Sequence, residues 1–378
     1  MSYLFPNYAR KPFEIVAGEG CYVTDDQGKK YLDFTSGIGV VNLGYHQPAL
    51  NEILAAQAQK IWHTPNLYEN QLQEAVAEKL VGARDYLAFF CNSGAEANEA
   101  ALKLARKATG KTQIITFKNS FHGRTYGAMS ATGQASIHAG FEPLVPDFEY
   151  LPYNDLAALQ EKISPATAAV MLEIIQGEGG VTVADPQWLN DVAVLCRENK
   201  ALLIVDEVQT GMGRTGSLFA FEQFGIEPDI FTLAKGLGNG FPVGAMLGKK
   251  TLADSFGPGS HGSTFGGNKL AMSVADEVLR VLTQTDLLGA VSEKSQQLFA
   301  ALHQIESNKI KEIRGLGLMI GIELHSAFSV NELLTALEEE NLLALRAGEN
   351  TLRLLPPLTI TQEELALGVA KIAAALQK

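Results

Sequence analysis

Two side chains in this chain of 378 residues have the chemistry to build a covalent cofactor site. Lys235 stands in the run Asp229-Ile-Phe-Thr-Leu-Ala-Lys-Gly-Leu-Gly, at the end of an apolar stretch that reads as a buried strand. Asp206 closes a second such stretch, Ala201-Leu-Leu-Ile-Val-Asp. A lysine amine at a strand end can hold an aldehyde cofactor as a Schiff base. A carboxylate on a neighbouring strand can keep a ring nitrogen protonated, so that the ring draws electrons from the substrate. Singly, each has a plainer reading, since lysines before glycine are mostly solvated turn residues and an aspartate after a strand is mostly a helix cap. Further segments give the pair its weight.

Phe90-Cys-Asn-Ser-Gly-Ala-Glu-Ala-Asn follows one apolar run and opens an amphipathic one. It puts Ser93, Gly94 and Ala95 at a helix N-terminus, where free N–H groups and the dipole suit a phosphate. An ordinary Ser/Asn cap is the competing reading. In Phe121-His-Gly-Arg124 the ring can stack on a flat cofactor and Arg124 can clamp a carboxylate. The competing reading is a packing Phe and a surface Arg. His122 there reads equally as a satisfied polar residue, with no second histidine at metal-ligand spacing. Glu173-Ile-Ile-Gln-Gly-Glu-Gly-Gly sets Glu178 in a glycine-rich loop, facing either a cleft or solvent. His261-Gly-Ser-Thr-Phe-Gly-Gly267 offers the hydroxyls of Ser263 and Thr264 to phosphate oxygens. Arg353 is a lone charge in Leu352-Arg-Leu-Leu-Pro-Pro and needs a carboxylate partner from protein or substrate. An amine, a ring-nitrogen carboxylate and a phosphate cradle together describe a site for pyridoxal phosphate. Gly211-Met-Gly-Arg-Thr-Gly216 matches a dinucleotide fingerprint in spelling, but Glu207-Val-Gln-Thr separates it from the strand and no helix start follows. Nicotinamide binding is rejected on that context.

Elements must hold these residues in place. Apolar runs at 87–91, 113–117, 168–173, 202–206, 230–233 and 243–247 alternate with helical patterns such as 96–108 and 186–199. That alternation predicts an α/β fold, a mainly parallel sheet covered on both faces. Residues 13–34 read as a small β-meander around Thr24-Asp-Asp-Gln-Gly-Lys, and 47–82 as two helical pieces broken near His63-Thr-Pro65. A long helix is expected over 270–282, then an α+β portion through 320–324 and 351–355 to a C-terminal helix. The expected division is 1–50 and 271–378 as two parts of a smaller domain, with 51–270 as the cofactor-binding domain.

Forty-two acidic against 30 basic residues give a net charge of −12, and no basic run is dense enough for a nucleic-acid footprint. Cys21, Cys91 and Cys196 are scattered and odd in number, which argues for a reducing compartment and against disulfides or zinc. The first residues, Met-Ser-Tyr-Leu-Phe-Pro-Asn-Tyr, lack the pattern of a secretory signal, and no apolar run approaches the ~20 residues of a membrane span. A cytoplasmic protein is expected.

The ordered blocks Asn92-Ser-Gly-Ala-Glu-Ala-Asn, Phe121-His-Gly-Arg-Thr, Gln176-Gly-Glu-Gly-Gly, Asp206-Glu-Val-Gln-Thr-Gly-Met-Gly-Arg-Thr-Gly, Ala234-Lys-Gly and Gly262-Ser-Thr-Phe-Gly-Gly resemble the class III pyridoxal-phosphate aminotransferases. The resemblance runs from Tyr31-Leu-Asp-Phe to Leu354-Leu-Pro-Pro, and within the family it is greatest to the acetylornithine-using branch of arginine biosynthesis. It implies a fold-type I, aspartate-aminotransferase-like homodimer with active sites at the subunit interface. It assigns the covalent amine and proton carrier to Lys235, the ring-nitrogen partner to Asp206, the ring-hydroxyl partner to Gln209 and the stacking ring to Phe121. His122 joins the cofactor set. Ser93, Gly94 and Ala95 hold the phosphate, with Thr264 supplied by the other subunit. Ala95 is threonine in many relatives, so a side-chain contact to the phosphate is missing here.

The resemblance also implies the substrates. Arg353 receives glutamate's α-carboxylate, Glu178 masks Arg353 when an ω-amine donor is bound, and Arg124 takes the carboxylate at the far end of either substrate. Ser263 belongs to the substrate set. Ornithine-using relatives tend to have tyrosine where Ile38 stands in Ser36-Gly-Ile-Gly-Val-Val-Asn, and an aliphatic residue tolerates an acylated α-amine. The reaction implied is transamination of N²-acetyl-L-ornithine with 2-oxoglutarate. Ornithine, succinylornithine, N-acetyllysine and 4-aminobutyrate are alternative donors, and a glutamate-semialdehyde aminomutase or a non-enzymatic cofactor-binding regulator are alternative classes. The Glu178 and Arg353 pair argues against the mutase, and the presence of Lys235 and Asp206 against the regulator.

Overall fold

The computed structural model describes residues 3–378. Its largest sheet has seven strands, in the spatial order Tyr86–Cys91, Gly244–Lys249, Ile230–Leu233, Leu202–Asp206, Thr167–Glu173, Gln113–Phe117 and Phe148–Leu151. All pairings are parallel except the two made by Gly244–Lys249, which runs against both of its neighbours. Every position of Thr167–Glu173 is buried, as expected for a central strand covered on both faces. Its side chains divide with period two. Ala169 and Met171 join a cluster with Ala101 and Leu104 of the helix Gly94–Thr109, while Val170 and Leu172 join Trp188, Leu189 and Val192 of the helix Pro186–Glu198.

Both helices follow local rules. Ser93 caps Gly94–Thr109 by accepting from Glu96 N, and Gly110 ends it in a left-handed turn. Asp185 caps Pro186–Glu198 and proline opens it. The register sets the site. Asp206 is aligned with Glu173 on one side and Thr232 on the other, so three strands end at one level and Lys235 follows two residues beyond Leu233.

The chain ends build the smaller sheets. Ile15–Glu19, Tyr22–Asp25 and Lys30–Asp33 form the meander, and Leu342–Leu343 pairs in parallel with its last strand. Ile310–Leu316, Met319–Leu324, Thr351–Leu354 and Leu345–Ala347 form a four-stranded sheet that carries Arg353. The helix Lys269–Gln284 packs on Pro48–Ala58 and Gln71–Val81. Among the described residues no helix is long and apolar enough to cross a membrane.

The glycine-rich segment at 211–216 has a structural use. Arg214 is fully buried, and its fork donates to Leu318 O (3.1 Å), Pro356 O (2.5 Å) and Asn42 Oδ1 (2.7 Å). No carboxylate among the described residues pairs with it, and burial pulls its pKa down to about 9. It ties three distant segments together three residues beyond Arg353.

Candidate active site

Asp206 is held from three sides. Its Oδ2 accepts from Asn98 Nδ2 and from His122 Nδ1, both at 2.8 Å, and its Oδ1 accepts from Val208 N at 3.0 Å. Asn98 is itself fixed, donating to His122 O at 2.7 Å and accepting from Thr232 Oγ1 at 2.7 Å. These bonds offset the cost of burying a carboxylate that is only 4% exposed. Glu173, on the adjacent strand, accepts from Phe121 N (3.0 Å) and Gly177 N (3.3 Å). Burial pushes the Glu173 carboxyl up to about 7; His122 pulls it down and Asp206 pushes it further up. Burial pulls the His122 ring down, but its hydrogen bond to Asp206 and the Asp206 charge outweigh that, so the ring stays above its ordinary value.

Asp206→Asn removes the larger support for the charged ring and leaves burial to dominate. His122, followed by NMR in the cofactor-free protein, is then expected to titrate below the usual histidine range of roughly 6.5. An unmoved titration would show that Asp206 does not govern this cluster.

Lys235 sits at φ 44°, in the left-handed region, in the short turn Lys235–Leu237. Burial lowers the pKa of its amine, against the charges of Asp206 and Glu178 and with that of Arg353. The shift is toward the neutral form, the form that condensation with an aldehyde needs.

Lys235, Phe121, Arg124, Glu178 and Ile38 line one open cleft of about 1730 Å³. The Arg124 guanidinium lies 5.7 Å from the Phe121 ring centroid and has no ion-pair partner among the described residues, so its fork is available to a carboxylate. Ile38 has φ 68° and ψ 49°, backbone that a β-branched residue rarely adopts, so the surrounding loop fixes its position against the cleft.

Arg353 is 2% exposed. Its Nη1 donates to Glu178 Oε1 at 2.6 Å, Gly177 O at 2.8 Å and Gln209 Oε1 at 3.1 Å. The acid half of the pair keeps 31% of its side chain exposed. A buried cation thus meets a carboxylate on the partly exposed side of the cleft.

At the helix Gly94–Thr109, the N–H groups of Gly94 and Ala95 lie in the first turn, where no carbonyl one turn back lies within the helix. A Cβ on Gly94 would lie 2.7 Å from Val208 Cγ1, so glycine is required there. Ser93 Oγ already caps the helix through Glu96 N at 3.2 Å.

Nine sequence candidates, Ser93, Gly94, Ala95, His122, Asp206, Gln209, Ser263, Thr264 and Arg353, are not among the residues that line this cleft. The His122 ring is buried behind Asp206 and reaches the site through that carboxylate. Ser263 Oγ accepts from Asn92 Nδ2 (3.1 Å) and Gly266 N (2.9 Å), so it braces its own loop. Thr264 is exposed beside it and is not among the lining residues. Asn98, Glu173 and Thr232 escaped the sequence reading as parts of the site. Asn98 carried one signal, a polar poor helix former on a face where Ala97, Ala101 and Leu102 are buried.

The residues present fit pyridoxal phosphate. A burial-lowered amine, a triply held carboxylate, an aromatic plate and a helix N-terminus with no room for a side chain match its aldehyde, ring nitrogen, ring face and phosphate. No cluster able to hold a metal ion occurs among the described residues.

The family model for aminotransferase class-III matches residues 4–376. Acetylornithine aminotransferase of Streptococcus mutans is 56% identical over 373 residues, covering 98% of this chain and 97% of that protein. Among solved structures, ornithine aminotransferase of Toxoplasma gondii superposes with a TM-score of 0.95 at 35% identity, over 99% of this chain and 92% of that one. N-acetylornithine aminotransferase of Stenotrophomonas maltophilia gives 0.85 at 39% identity, over 98% and 97%.

Proposed function

We propose that this chain, which belongs to the class-III aminotransferases, transfers the δ-amino group of N²-acetyl-L-ornithine to 2-oxoglutarate. The products are N-acetyl-L-glutamate 5-semialdehyde and L-glutamate, a step of arginine biosynthesis. The chain is a pyridoxal-phosphate-dependent aminotransferase of fold-type I. The observation that carries the donor reading is the Glu178–Arg353 pair at 2.6 Å. An ω-amine donor has only hydrogens beside the reacting nitrogen, whereas glutamate has a carboxylate there. One pocket must present a neutralised arginine to the first and a free arginine to the second.

Pyridoxal phosphate, when bound, supplies an aldehyde for condensation with amines and a ring that accepts electrons. Lys235 and Asp206 do the proton work around it. The Lys235 amine moves the proton from the substrate carbon that bears the nitrogen, and Asp206 holds a proton at the ring nitrogen. Phe121 would stack on the ring, Gln209 would pair with its hydroxyl, and the Gly94 and Ala95 N–H groups would hold the phosphate. Arg124 receives the distal carboxylate of either substrate. Ile38 offers an aliphatic wall to the acylated α-amine.

The backbone likeness to an ornithine aminotransferase makes ornithine the second reading, since the scaffold serves both donors. The deciding experiment incubates the purified protein with 2-oxoglutarate and each candidate amine. Acetylornithine is expected to exceed ornithine by ~10-fold or more in kcat/KM, because a wall that suits an acyl group leaves a free ammonium unpaired. Equal or better turnover of ornithine would move the assignment to that donor.

A homodimer with shared sites is part of the same reading. Trp62, Leu67, Tyr68 and Phe265 are exposed, and Asn66 ties the first segment to the Thr264 loop by donating to Ser263 O and Gly266 O. An active monomer in sedimentation at micromolar concentration would count against it. Three buried free cysteines support a cytoplasmic setting, which a secreted, disulfide-bonded form would contradict.

A further inference from the structure

The cleft that holds Lys235 has a lining whose charge runs against the rest of the molecule. The chain has a net charge of −12, yet six lysine and arginine side chains line this cleft against three glutamates. Much of that excess is neutralised or already assigned. Lys311 pairs with Glu323 at 2.6 Å, Arg314 pairs with Glu312 at 2.6 Å and with Glu323, and Lys235 and Arg124 belong to the site itself. Lys118 and Arg346 remain. Both are exposed and have no ion-pair partner among the described residues. Lys118 follows the strand Gln113–Phe117 of the large sheet, just before the segment that presents Phe121. Arg346 comes from another sheet, on the strand Leu345–Ala347 that pairs with the strand of Arg353. Its Nε donates to Gly348 O at 3.0 Å, which limits the freedom of an otherwise solvated guanidinium. Glu349 is a rim carboxylate with no cationic partner among the described residues, and it opposes them.

We propose that Lys118 and Arg346 form an outer anion-collecting rim that draws dicarboxylates toward Lys235 and favours the keto-acid acceptor by charge. The inference rests on 2-oxoglutarate being the acceptor. The substrates of the two half-reactions differ in charge at neutral pH. 2-Oxoglutarate carries two negative charges, glutamate a net one, and N²-acetylornithine none, because its ammonium balances its carboxylate. A long-range field therefore acts on them in that order, whereas a shape defect acts on all three. The rim makes no directed bond at the reacting carbon, so it lowers KM and leaves kcat alone.

The test uses the holoenzyme and two charge-removing substitutions together, Lys118→Gln and Arg346→Gln. Glutarate, an unreactive five-carbon dicarboxylate, is titrated by calorimetry at about 20 mM and about 500 mM salt, where charges are screened beyond roughly 20 Å and 4 Å. The double variant is expected to weaken glutarate binding about fivefold at low salt and less than about twofold at high salt. KM for 2-oxoglutarate should rise by a similar factor, that for glutamate by about half as much, and that for acetylornithine hardly at all. Glu349→Gln should tighten glutarate binding. The pair Lys118→Arg and Arg346→Lys should match wild type, which separates charge from the Arg346–Gly348 bond. A salt-independent change, or equal changes for 2-oxoglutarate and acetylornithine, would overturn the rim. If the wild type did not use 2-oxoglutarate at all, the functional reading would fail, and the glutarate titrations would still decide the rim.

Discussion

Replacing Lys235 by alanine is expected to lower turnover by about four orders of magnitude or more, and to remove the visible absorbance of the loaded enzyme, while the fold persists. The amine is the group that condenses with the cofactor aldehyde and carries the proton at the substrate carbon, and each role alone is worth ~10² or more. No neighbour can take over. Lys118 and Lys311 line the same cleft but are exposed and stand on other segments than the turn that carries Lys235. Lys235→Arg should be nearly as inactive, since a guanidinium stays charged and cannot accept the proton. Stability should change little, because the side chain makes no hydrogen bond that the fold depends on. Thermal melting together with stopped-flow absorbance on both variants checks this. Near-normal transamination by Lys235→Ala would remove the basis of the site.

How much of this was legible in the sequence follows from what was local. The strand carrying Glu173 and the strand ending in Asp206 announce themselves as continuous apolar runs, and Ser93 with Gly94 announces a helix start. The direction of Gly244–Lys249 was not legible. An apolar run reads the same in either direction, so the antiparallel pairing depends on the connections around it. Phe148–Leu151 also lacked a signal, being a four-residue edge strand with three of its positions only partly buried. The helix Leu287–His303 buries only Val291, Leu298 and Leu302, too few for a clear apolar face. The ring-nitrogen carboxylate was visible as Asp206, but its support was not. Asn98, His122 and Thr232 come from three separate segments and meet only through sheet register. Arg214 shows the same limit. Its spelling suggested a nucleotide loop, whereas its three acceptors lie at residues 42, 318 and 356.

Glu178→Ala is expected to split the two half-reactions. In the resting site Glu178 is the only carboxylate within ion-pair distance of Arg353 among the described residues, and Arg353 is nearly fully buried. When acetylornithine binds, nothing on the donor replaces that carboxylate, so the variant leaves a buried cation uncompensated beside the reacting carbon. The donor half-reaction should lose about one to two orders of magnitude in kcat/KM. When glutamate binds, its α-carboxylate takes the place of Glu178, and the variant no longer has to break an ion pair first. Glutamate should therefore react as well as wild type or better. Gly177 O and Gln209 Oε1 still accept from the Arg353 fork, so the guanidinium stays in position for that test.

The measurement that bears most directly on a pocket serving two unlike donors is a single-turnover absorbance comparison. Wild type and Glu178→Ala are each mixed with acetylornithine and, separately, with glutamate, and the rate of loss of the loaded enzyme's visible band is read as a function of donor concentration. The account predicts that the ratio of kcat/KM for acetylornithine to that for glutamate falls by ~10-fold or more in the variant. An unchanged ratio, with both donors losing equally, would mean that Glu178 only supports the loop and that the alternating-arginine account is wrong.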